Sequence, residues 1–262
     1  MASRLRWVIA SFLACAVAGW ASSEGACAKD RLPESGTPLK TILELEMTAR
    51  LLAVLLDSGR NVINEQQVPF DEQEKTEKDF TPDMFEQQLL DVFHSRSGTD
   101  LRDLETARIP AGAKKLLKEL VLISKQVVAE AQPEINRQDG GLEEFIPAIF
   151  GARVATRFTE RTHVRLMQTA LAPRNPLNVP DAVERAALEE FADPSYPREK
   201  VISEVTAKSG SLRLMFPLYT TRKCLDCHGD PKGELDRTGY PREGLRLGQN
   251  AGAISVVIPI RP

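Results

Sequence analysis

The 262-residue chain has little cysteine and little histidine, four of the first and three of the second. A structural zinc site needs four ligands, usually from a second CxxC or from paired histidines, so here only a scattered set could close one. The chain also lacks an excess of positive charge. Its 34 Lys and Arg stand against 37 Asp and Glu, a net charge of −3, which excludes a surface built to neutralise a nucleic-acid backbone. No apolar run reaches the roughly 20 residues needed to cross a bilayer, and there is neither an internal repeat nor a low-complexity segment. A chain of this length can bury a proper core without disulfides or metals. Its few cysteines therefore call for another explanation.

Two of them lie in the first 28 residues. Arg4 and Arg6 precede an apolar stretch from Trp7 to Trp20, and small residues end in Ala26-Cys27-Ala28. That is the layout of a secretory signal peptide, with cleavage expected before Lys29. A retained N-terminal anchor fits less well, because the apolar stretch is too short. An acylated Cys15 or Cys27 fits worse still, since Glu24 stands where a lipid-attachment signal is apolar. Cleavage makes the remainder one charge more acidic and leaves Cys224 and Cys227 as its only cysteines. The expected organisation is a signal peptide over 1–28, a linker over 29–40 and one domain over 41–262, located in the periplasm and not inserted in a membrane.

Apolar residues at near-helical spacing, Ile42, Leu45, Ala49, Leu52, Leu56 and Ile63, predict a long helix over 41–67. Thr81-Pro82-Asp83 is helix-start chemistry for a second. Two more follow, one around Leu116, Leu117, Leu120, Ile123, Val127 and Val128 and one beginning after Gly140-Gly141. The character changes at His163. The segment 163–173 reads as a strand, Pro173, Pro176 and Pro180 break the loop behind it, and Asp181 with Glu184 forms a capping box for a helix over 181–192. Strand-like runs at 201–208 and 212–219, joined through Ser209-Gly210, form a hairpin, and 252–260 supplies a β-branched terminal strand. Hairpin connections with helices to one side predict an α+β fold with an antiparallel sheet.

The segment Cys224-Leu225-Asp226-Cys227-His228 carries the chemistry. Two thiols three residues apart meet the two vinyl groups of one porphyrin, and the adjacent imidazole reaches its iron on the same face. Thioether formation would also use every cysteine of the exported chain. Zinc would have to recruit His94 or His163 from far upstream. A redox dithiol normally follows a buried strand in a βαβ unit, and this CxxC follows a hairpin. One covalently bound haem c, held by Cys224 and Cys227 with His228 as iron ligand, is the favoured reading.

The segments 174–191, 213–219, 224–231 and 252–260, with upstream LLDSGRNVINEQQ and FIPAIFGARVA, resemble the Tll-like c-type haem domains, periplasmic modules with a PAS-like fold. The resemblance covers most of 41–260. It implies a five-stranded antiparallel sheet, haem held against it and a long N-terminal helix alongside. It departs after Gln67, where VPFDEQEKTEKDFTP replaces the family's glycine-containing acidic loop. Its loop position suggests that Arg174 meets a haem propionate, against the plainer reading of a solvated turn residue. Arg222 and Lys223 are expected in solvent, as is the Glu and Lys run at 71–78.

The function expected is a redox- or gas-responsive haem sensor module, not an enzyme, acting through a separate periplasmic redox or signalling partner. The alternative is a periplasmic single-haem electron carrier, although carriers are usually compact and helical and this chain is much longer than one haem needs. Candidates for the second axial position are Met167, Met215 and His163, with His163 and Met167 on one face of the same strand. His94 is a weaker candidate. A weak or absent second ligand is expected.

Overall fold

The computed structural model describes residues 39–72, 80–136, 145–206 and 210–260. The expected signal peptide and the acidic segment at 73–79 lie outside them. Among the described residues are seven helices, α1 (Leu39–Glu72), α2 (Pro82–Ser97), α3 (Ala111–Glu130), α4 (Gln132–Ile135), α5 (Pro147–Thr162), α6 (Ala182–Ala192) and α7 (Leu225–His228). Four strands accompany them, β1 (Arg165–Thr169), β2 (Ile202–Thr206), β3 (Ser211–Tyr219) and β4 (Asn250–Pro259). No helix of the described residues is long and apolar enough to cross a membrane.

The strands form one antiparallel sheet in the order β1-β4-β3-β2. This is the α+β class expected, with four strands in the described residues where the resemblance implies five. Successive side chains of a strand point to opposite faces, and both faces are buried. Leu166, Leu212, Leu214, Ile254, Val256 and Ile258 join the main core with the apolar faces of α1, α2, α3 and α5. Met215 and Ala253, on the other face, meet Ala187, Leu188 and Phe191 of α6 in a smaller core. The long helix α1 touches β3 and β4 as well as α2, α3 and α5. The helical half therefore covers one face of the sheet.

Local chemistry sets most helix ends. The Thr81 hydroxyl accepts from the Met84 amide at 3.2 Å, and Gly98 closes α2 in the left-handed region at φ 69°. The capping box is formed, with Asp181 Oδ1 accepting from the Glu184 amide and Glu184 Oε2 from the Asp181 amide, both at 2.9 Å. Two expectations need correction. Helix α5 starts at Pro147, because a proline holds the preceding Ile146 extended and supplies a first residue that needs no N–H partner. His163 is not the start of a strand. It is the left-handed C-cap of α5, φ 60°, its amide donating to Thr159 O at 2.9 Å, and β1 begins only at Arg165.

Candidate functional site

Strand β3 runs directly into the CxxCH turn, which the loop before β4 pins in place. The buried Thr220 hydroxyl donates to Arg246 O at 2.5 Å, and its backbone exchanges bonds with Gln249 O and the Gly248 amide. The chain then coils. The amides of Leu225, His228 and Gly229 donate to the carbonyls of Arg222, Cys224 and Leu225. Positions three and four apart on such a turn are neighbours, so Cys224 lies beside both Cys227 and His228. Both thiols are free and half-buried. Burial, only partly offset by the charge of Arg237, pushes the Cys227 thiol up and keeps it protonated at neutral pH. The buried Gly229 ends the turn where a Cβ would stand 2.5 Å from Leu225 O, so no side chain is tolerated directly after His228.

The imidazole of His228 is tied down on one side. Its Nδ1 lies 2.8 Å from Glu243 Oε2. Glu243 is in turn clamped by Arg174, whose Nε reaches Oε1 at 2.6 Å and whose Nη2 reaches Oε2 at 2.9 Å. The same guanidinium donates to Asp236 Oδ2 at 2.6 Å and to the Cys227 carbonyl at 2.9 Å, and lies over the Tyr240 ring. Arg174 is therefore not a solvated turn residue. Two internal carboxylates hold it, and charge-assisted bonds to a guanidinium fork are the strongest available to it. Burial raises the Glu243 carboxyl, but bonds from Arg174 and His228 outweigh that and hold it below the ordinary carboxylate range. An ionised carboxylate only accepts, so Nδ1 carries the hydrogen and Nε2 is the nitrogen left to bind a metal.

Arg174 belongs to the loop between β1 and α6, and Glu243, Asp236 and Tyr240 to the loop between α7 and β4. These two loops hold six of the exposed large apolar side chains, Leu171, Leu177, Val179, Leu235, Tyr240 and Leu247. Exposed apolar side chains offer surface that a flat apolar ligand can cover. The residues present fit a porphyrin bound through Cys224 and Cys227.

Other residues singled out in the sequence fall elsewhere. Met215 is buried beneath α6. Met167 is half-exposed in β1 and its sulfur accepts from Arg165 at 3.4 Å. In the register Met167, Ser255 and Met215 share one row and thus one face. His94 is exposed on α2, which packs on α1 and α3. Arg222 is exposed as expected, whereas Lys223 reaches Glu65 of α1 at 2.6 Å. Among the described residues no three His, Cys, Asp or Glu side chains converge as ligands for a metal ion. Sequence reasoning missed Asp236 and Glu243. The run Asp236-Arg237-Thr238-Gly239-Tyr240 is a recognisable Asx turn, its Oδ1 accepting from the Thr238 and Tyr240 amides. Nothing local marks Glu243.

A model of the Tll0287-like family matches residues 40–259. Among solved structures the chain resembles the crystal structure of the cyanobacterial haem protein Tll0287, with 19% identity and a TM-score of 0.39 over 55% of this chain and 95% of that one. No curated protein matches.

Proposed function

Because this chain belongs to the Tll0287-like family, we propose that it is an exported c-type haem protein, carrying one haem on Cys224 and Cys227 with His228 as its iron ligand. The observation that carries this reading is the CxxCH turn itself, on which two free thiols accompany an imidazole whose Nδ1 is already engaged by Glu243. Bound haem would supply an iron able to change oxidation state or take up a gas. The chain itself supplies two thiols for attachment and a fixed ring orientation.

The module is read as a sensor, not an enzyme, that signals to a separate periplasmic protein. Support comes from the bridge between Lys223, next to the first thiol, and Glu65 on α1, a helix that touches both the sheet and three other helices. A shift of the attachment turn would reach the helical layer by that route. The second axial position is read as weak or open, since Met215 is committed to the core beneath α6 and the Met167 sulfur already accepts from Arg165.

The test is the full chain matured in the periplasm by the cytochrome c machinery. Intact mass should show cleavage near Lys29 and a gain of about 600 Da, one haem, and reduced protein should bind carbon monoxide within seconds. Cys224→Ala and Cys227→Ala should each lose one thioether. An apo mass with two alkylatable thiols would overturn the haem reading. A reduced spectrum indifferent to carbon monoxide would overturn the open position and turn the reading to an electron carrier.

A further inference from the structure

We infer that Glu243 is a positioning residue for His228: its carboxylate, clamped by Arg174, keeps the ring hydrogen on Nδ1, leaves Nε2 to bind, strengthens the imidazole as a donor and so favours the oxidised state of an iron carried there. The inference rests on the haem reading above for its redox half. Its tautomer half stands on the apoprotein alone.

The segment 243–245 grips His228 twice. Glu243 takes the ring at 2.8 Å, and the Leu245 amide donates to the His228 carbonyl at 2.7 Å. Ring and backbone of one residue are thus held by two residues of one loop. Arg174 completes the frame, because the guanidinium that clamps Glu243 also binds the carbonyl of Cys227, immediately before His228. The ring, its carboxylate and the turn beneath it are referenced to a single rigid fork.

The charges define the electrical consequence. Glu243 stands against the ring, Arg174 pairs with both Glu243 and Asp236, and a second guanidinium, Arg237, acts on the neighbouring Cys227 thiol. Because Arg174 is shared between two carboxylates, the one that faces Nδ1 is not fully neutralised. A hydrogen bond from a ligating imidazole to a carboxylate raises the basicity of the coordinating nitrogen, more than one to a neutral carbonyl would. A more basic ligand stabilises the ferric over the ferrous charge. Placed at a partly exposed turn next to solvent, this device sets the iron toward the reducing end of the range open to a His-ligated haem.

Two measurements test it. In matured full-length protein at fixed pH, Glu243→Gln, which keeps shape and an acceptor but removes the charge, should raise the reduction potential enough to change the reduced-to-oxidised ratio at least tenfold, or 59 mV for one electron. Glu243→Asp, which keeps the charge but withdraws it, should shift the potential less. A brace without electrical effect would lower the melting temperature of Glu243→Gln and leave its potential within a twofold ratio of the parent, which would overturn the redox half. In the haem-free chain, nitrogen-15 NMR of His228 at pH 8 should show the hydrogen on Nδ1, reverting in Glu243→Ala to Nε2, the preference of a free imidazole. Hydrogen on Nε2 in the parent would overturn the positioning role. Failure of the parent to take covalent haem would instead overturn the haem reading, and the NMR result would still decide the role of Glu243.

Discussion

Replacing Arg174 by glutamine removes the fork that joins the two loops of the site, and the structure allows its cost to be worked out. The side chain of Asp236 has no exposure at all, and its two oxygens are served unequally. Oδ1 accepts from the Thr238 amide, the Thr238 hydroxyl and the Tyr240 amide, while Oδ2 is held by Arg174. Loss of the guanidinium orphans Oδ2 and leaves a buried charge without its counterion. Breaking a buried pair from one side costs about 3–5 kcal/mol. The three surviving bonds to Oδ1 place this case near the lower end, at about 3 kcal/mol, and the lost bond to Cys227 O adds about 1 kcal/mol. Glu243 is partly exposed and rehydrates, so it adds little. For a domain of this size a loss of about 3–4 kcal/mol corresponds to a fall in Tm of roughly 6–16 °C. Urea unfolding and thermal melts of the parent, Arg174→Gln, Asp236→Asn and the double variant, all in the same maturation state, should show this loss and a coupling of about 2 kcal/mol in the cycle. A loss below about 1 kcal/mol, or additive single effects within about 0.5 kcal/mol, would refute the account of Arg174 as a buried clamp.

Three further outcomes are expected. Burial raises the carboxyls of Asp236 and Asp181, but bonds from Thr238 and Arg174 to the first, and from the Glu184 amide and Arg213 to the second, hold both below their ordinary value. Their stabilisation is complete above the unfolded pKa of about 3.9 and is lost as pH falls through the folded values. The urea midpoint should be flat from pH 8 to 5 and drop below about pH 4; one that holds to pH 2 contradicts this. Phe150 is fully buried, edge-on to Phe85 at 5.4 Å, and so close to α1 that a Cβ on Gly59 would come within 2.8 Å of its ring. Phe150→Ala should cost about 3–5 kcal/mol in urea unfolding, and less than about 2 kcal/mol would mean that the α1–α5 contact collapses to fill the gap. Gly252 has φ 137°, and a Cβ there would lie 2.4 Å from Thr169 O across the β1–β4 pairing. Gly252→Ala should cost about 1–3 kcal/mol in backbone strain and speed amide exchange in β1 more than in β2, and equal protection in both would contradict it.

The features readable from the residues alone are those that short-range chemistry decides. The Asp181–Glu184 capping box, the Thr81 cap, the long α1 and the β2–β3 hairpin all depend on residues a few positions apart, and each was legible. So was the CxxCH motif, whose cysteines and histidine lie within five consecutive residues. The family likeness was legible in the same way, through runs of neighbouring residues, and the match over 40–259 agrees with it. The tertiary structure decided the rest. Arg174 meets Glu243 and Asp236 across 69 and 62 positions, and no local pattern records which carboxylate a distant arginine will find. His163 looked like a strand residue because it precedes β-branched and apolar side chains, yet the need to end α5 put it in a left-handed cap. Met167 and Met215 were equal candidates in sequence, and only the docking of α6 on one sheet face buried Met215 and left Met167 half-exposed. Hydrogen bonds within one turn are set by the chain's own geometry. Pairings across dozens of residues are set by which faces the core has already hidden.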